Sequence, residues 1–256
     1  MIDKPYYIID FNAVNCFIDI RVNDVPVYSS NINGQRSTII PINSPILESG
    51  NQQVSYNVLP LLGEFSLKEN TFFEASVWLY DASGEEIEPK EEINKYTTPE
   101  NTGIPLPAYK GEKMFMAEVP YKLDAWQNSQ DLSKVEDLRL YVDLFYSELE
   151  EMLAKEQYDS FINLIKKREE NIATCMYLSD KEKNGRIMFF NIIKEGFKVV
   201  PSSAKDIMLI YGHDKLVSLK KMDGSSALLF VNSEGDELSL DLRLHLPQGS
   251  RDFLVI

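Results

Sequence analysis

The chain has 256 residues, 44% of them apolar and 26% charged, and 26 basic residues stand against 40 acidic ones for a net charge of −14. That balance excludes wholesale disorder. Both halves carry the acidic excess, which argues against a nucleic-acid backbone or an anionic membrane surface as partner. Thirteen Tyr and thirteen Phe supply enough apolar area for each half to bury its own core.

The start, Met1-Ile2-Asp3-Lys4-Pro5, has no basic n-region followed by a long apolar core, and no apolar run in the chain is long enough for a bilayer. The expectation is a cytoplasmic protein. From Val14 to Val22 apolar residues hold every even position, the pattern of a half-buried strand. The turn pair Asn23-Asp24 ends it, and Val25 and Val27 resume the alternation. Asn33-Gly34 marks another turn. Val54, Tyr56 and Val58, then Phe73, Ala75, Val77 and Leu79, then Phe115, Ala117 and Val119 alternate again. Short strands separated by turn signals predict an all-β sandwich over residues 1–125.

Residues 85–112 break the pattern. Glu85, Glu86, Glu88, Glu91 and Glu92 crowd together, and Pro99, Gly103, Pro105 and Pro107 follow. The expectation is a long exposed loop, either a solvated insertion or a binding element.

Near residue 130 the period changes. Ser133 with Glu136 has the form of a capping box. Val135, Leu138, Val142, Phe145, Leu149 and Met152 follow at spacings of three and four, which predicts an amphipathic helix of about five to six turns. A coiled-coil seam has the same spacing; with about three heptads present, packing on the chain's own sheet is expected. Tyr158, Phe161, Ile162 and Ile165 predict a second helix. Ser179 with Glu182 forms another capping box before Ile187, Phe190 and Ile193, and Gly196 stops that helix. After Pro201 period two returns in segments 207–211, 215–222, 227–232, 237–246 and 253–256, joined by Gly212-His213-Asp214, Asp223-Gly224 and Ser233-Glu234-Gly235-Asp236. Residues 131–256 therefore predict an α+β domain, helices followed by a curved antiparallel meander.

This order of elements, with Tyr158-Asp159-Ser160-Phe161 after a long first helix, resembles the NTF2-like (cystatin-like, cone-shaped) fold over residues 131–256. An acidic sandwich followed by such a module also resembles bacterial immunity proteins encoded beside secreted toxins. The second resemblance implies a binding protein and transfers no site; the first implies a small-molecule-binding or enzymatic module as the alternative. A structural adaptor of a secretion or surface assembly is a third option.

Candidate chemistry is sparse. Cys16 and Cys175 lie far apart in apolar segments and read as buried thiols. No Ser sits in a nucleophile elbow, no Cys pair or H-E-x-x-H suggests a metal, and no phosphate loop occurs. No catalytic residue, metal or cofactor is expected. Lys166-Lys167-Arg168, followed at once by Glu169-Glu170, reads as a polar helix face. His213 reads as an exposed turn residue. In segment 238–246 the leucines share one face of a strand, and Ser239, Asp241, Arg243 and His245 share the other, successive residues about 7 Å apart. Two surfaces thus compete to bind a basic partner such as a toxin domain: the sheet face with Asp241, Arg243 and His245, which a rigid scaffold favours, and the acidic segment Glu85, Glu86, Glu88, Glu91 and Glu92.

Overall fold

The computed structural model describes residues 2–99, 106–194, 196–222 and 224–256, with backbone alone at 189, 191 and 192. Gly103 and Pro105 of the predicted loop, and Asp223 of a predicted turn, lie outside the described residues. Two compact units are present, Met1–Leu123 with Cys175–Tyr177, and Asp124–Thr174 with Leu178–Ile256.

The first unit is one curled, six-stranded antiparallel sheet. Its strands are β1 (Pro5–Val22), β2 (Val25–Pro41), β3 (Gly50–Leu59), β4 (Phe72–Asp81), β5 (Glu88–Thr97) and β6 (Tyr109–Ala117). β1 and β2 form a long hairpin. Asn23 and Asp24 both take positive φ at its turn, as a type I′ turn demands, and Asn and Asp tolerate that conformation best after Gly. The other edge of β1 is shared, since Pro5–Val14 pairs with β4 and Phe17–Val22 with β3. The change of partner falls at Asn15, which has positive φ and interrupts the register with β2. Such a bulge bends a strand, so the sheet curls around Ile9, Phe11, Ile18, Ile20, Tyr56 and Phe73. β5 lies beyond β4 and β6 beyond β3. The rings of Tyr96 on β5 and Tyr56 on β3 stack at 5.1 Å.

The predicted loop over 85–112 is corrected here: residues 88–97 and 109–117 are strands. β5 is an edge strand, so its glutamates and lysines face solvent and cost little, while Ile93 and Tyr96 pack on the core. The density of charge concealed the alternation.

The second unit opens with a 3-10 turn, Leu132–Lys134, followed by α1 (Leu138–Ala154), α2 (Tyr158–Leu164), α3 (Lys166–Cys175) and α4 (Asp180–Lys194). Strands β7 (Lys198–Val200), β10 (Leu229–Val231) and β11 (Glu237–Ser239) form one small antiparallel sheet. β8 (Ile207–Tyr211), β9 (Leu216–Lys220), β12 (Leu244–His245) and β13 (Leu254–Val255) form another. The core gathers Leu138, Val142, Tyr146 and Leu149 of α1, Phe161, Phe190, and leucines of the C-terminal segment.

Two local expectations need correction. The Ser133–Glu136 box does not cap α1; the Ser133 hydroxyl donates to Asp131 Oδ1 at 2.6 Å inside the 3-10 turn, and α1 starts after Asp137 at positive φ. The second helix forms as expected, as α2 up to the cap at Ile165, and α3 follows it directly. The strand expected over 237–246 divides into β11 and β12, which belong to different sheets. The buried hydroxyls of Ser226 and Ser218 donate to the carbonyls of Leu240 and Leu242, at 2.6 and 2.5 Å, in place of a strand ladder. By contrast the Ser179–Glu182 box forms: Ser179 N donates to Glu182 Oε2 at 2.7 Å, and Glu182 N donates back to Ser179 Oγ at 3.3 Å.

Candidate functional site

The three C-terminal candidates do not share an open face. Asp241 is exposed and paired with Lys220 at 2.8 Å. Arg243 is half-buried, and its charge is felt by Arg168 of α3. His245 is buried, and its Nδ1 shares a 2.7 Å hydrogen bond with the buried Ser129 hydroxyl. Burial holds the imidazole below its ordinary value, with the charge of Asp124 a smaller opposing influence. Period two alone predicted these residues to alternate against the leucines. The leucines are indeed inside at 240, 242, 244 and 246, but the chain leaves one sheet for the other between them. The polar side chains are thereby dispersed, and His245 is not available to a partner. His213 is exposed in its turn at positive φ.

The acidic segment is different. Glu85 and Glu86 lie in the β4–β5 connection, and Glu88, Glu91 and Glu92 on β5; all five are exposed. Glu88 pairs with Lys90 at 2.9 Å, and Glu92 accepts from the Ser76 hydroxyl at 2.7 Å. The side chains of Glu85, Glu86 and Glu91 make no hydrogen bond or ion pair with any described residue. Beside the strand lies a cavity of about 770 Å³ whose lining includes Tyr7, Leu79, Ile93, Met116, Glu91 and Glu118. Its charged lining residues are the last two, both acidic. The Tyr7 hydroxyl accepts from Glu118 N at 2.8 Å, which secures the Glu118 backbone at the rim. Apolar walls with two carboxylates are the surroundings that suit a lysine or arginine side chain, stem against the wall and head toward the acids.

A third group was not legible in the sequence. Glu169 accepts from Arg186 Nε at 2.7 Å and Nη2 at 3.3 Å, and also from Arg168. Arg168, read from sequence as a solvated residue of a polar helix face, has a side chain only 15% exposed, as does Glu169. Desolvation is the largest influence on Arg168 and lowers its pKa, and the charges of Arg186 and Arg243 push the same way. Positions 168, 186 and 243 are too far apart in the chain for spacing to join them.

Among the described residues no group of three or more His, Cys, Asp and Glu is placed to hold a metal ion. No described helix is long and apolar enough to cross a membrane. Both cysteines are buried and neither forms a disulfide; burial pushes the Cys16 thiol up to about 11. Comparison of the chain with protein-family models, with curated proteins and with solved structures finds no match.

Proposed function

We propose that this is a non-enzymatic protein-binding protein, an immunity-type inhibitor that neutralises a basic toxin domain in the cytoplasm by occluding it. The observation that carries the reading is the acidic edge strand β5 next to an apolar cavity rimmed by Glu91 and Glu118. A rigid strand presents its charges without ordering new chain on binding. Unpaired carboxylates there attract a basic surface, and the cavity accepts one of its long cationic side chains. This moves the preferred surface from the C-terminal residues to the first unit, because His245 is buried and Asp241 is engaged by Lys220. The same reading takes the curled sheet as a sandwich, supported by β4–β5 and β3–β6 flanking opposite halves of one hairpin. It takes the second unit as NTF2-like, supported by its order of helices before strands. A small-molecule module and a structural adaptor are the competing classes.

The test uses the product of the gene adjacent to this one, purified and titrated by surface plasmon resonance at low and high ionic strength. Binding with a salt-sensitive on-rate, lost together with protection in cells when Glu91 and Glu118 are both changed to Gln, is the expected result. No binding, or binding indifferent to those changes, refutes the proposal.

A further inference from the structure

Helices α2, α3 and α4 of the second unit border a groove of about 370 Å³, within the size range of small-molecule sites. Ile162, Ile165, Ile187 and Phe190 give it apolar walls, and Lys166, Lys183 and Arg186 bring cations to it. The carboxylates nearby do not balance them. Glu169 is shared between Arg186 and Arg168, whose side chain is only 15% exposed. Glu170 meets Lys166 only at 3.9 Å, while Asp180 holds Lys183 at 3.0 Å. Four cations, Lys166, Lys183, Arg186 and the adjoining Arg168, thus share three carboxylates, in a chain whose net charge is −14. A half-buried arginine that has only a share of one carboxylate gains from a second anion. Glu169 occupies Nε and Nη2 of Arg186, and Nη1 has no partner among the described residues.

We propose that this groove binds a small organic acid, an apolar body with one carboxylate. The body lies along Ile162, Ile165, Ile187 and Phe190, and the carboxylate accepts from Arg186 and Lys183. A charge-assisted hydrogen bond supplies the selectivity, and the walls supply non-specific affinity. The groove belongs to the second unit and the acidic strand to the first, so neither proposal depends on the other.

The experiment is isothermal titration calorimetry of the full chain with octanoate, octanol and octylammonium. Octanoate is expected to bind about tenfold or more tightly than octanol, the return from a charged hydrogen bond, and octylammonium not at all. Arg186→Gln and Lys183→Gln should each weaken octanoate about tenfold and leave octanol unchanged. Ile187→Asp, at an exposed position of α4, should reverse the preference toward octylammonium. If Arg186→Gln fails to fold by circular dichroism, the other two variants decide. Equal affinity for octanoate and octanol, no heat with octanoate, or octanoate binding untouched by Lys183→Gln and Ile187→Asp overturns the proposal.

Discussion

Changing Glu169 to Gln removes the carboxylate that two arginines share. Taking away one partner of a buried ion pair costs roughly 3–5 kcal/mol, because the other charge is left buried. The Arg168 side chain is 15% exposed and bears most of that cost. The Arg186 side chain is 38% exposed and recovers water, so its share is near that of a surface pair, about 0–1 kcal/mol. The expected loss is about 3 kcal/mol, near the low end of that range because the glutamine amide keeps the side chain's volume and one acceptor oxygen. With a urea dependence of about 1–3 kcal/mol per molar, the midpoint should fall by about 1–3 M. Each unit holds one tryptophan, Trp78 in the first and the buried Trp126 in the second. In a Trp78→Phe background, fluorescence follows the second unit alone. Replacing the pair together, Arg168→Met with Glu169→Leu, should cost less than Glu169→Gln, since the charge left without its partner is then only that of the part-exposed Arg186. A midpoint shift equivalent to under about 1 kcal/mol, or a double variant less stable than the single one, refutes the argument that these charges are buried and mutually dependent.

His245 is held below 6.5 by burial, so as pH falls through that value the unfolded chain takes up the proton first. Stability is therefore complete above the unfolded value and declines as pH drops toward the folded one, with a slope approaching about 1.4 kcal/mol per pH unit; urea midpoints for His245→Gln should lack that component. Ser179→Ala should cost about 1 kcal/mol and speed amide exchange in the first turn of α4, because its capping box is fully formed. At Gly111 a Cβ would lie 2.1 Å from the Tyr96 ring, itself stacked on Tyr56. Gly111→Ala should accordingly cost about 1–3 kcal/mol, read from Trp78, and Tyr96→Ala with Gly111→Ala should cost less than the two changes added.

The sequence by itself determined which side chains are buried wherever one period held without interruption. The alternation from Cys16 to Val22, the helical spacing of Leu138, Val142 and Leu149, and the leucines at 240, 242, 244 and 246 all reach the core. Burial at a fixed period follows from local backbone geometry, which neighbouring residues settle among themselves. The type I′ turn at Asn23-Asp24 and the Ser179–Glu182 cap were legible for the same reason. What only the tertiary structure decided is where the chain changes partner. Asn15 switches β1 from β4 to β3, Ser218 and Ser226 part β11 from β12, and an edge position turns a run of glutamates into a strand. Those choices depend on groups distant in sequence. They dispersed Asp241, Arg243 and His245, and they assembled Arg168, Glu169, Arg186 and Arg243 from three segments that no spacing rule connects.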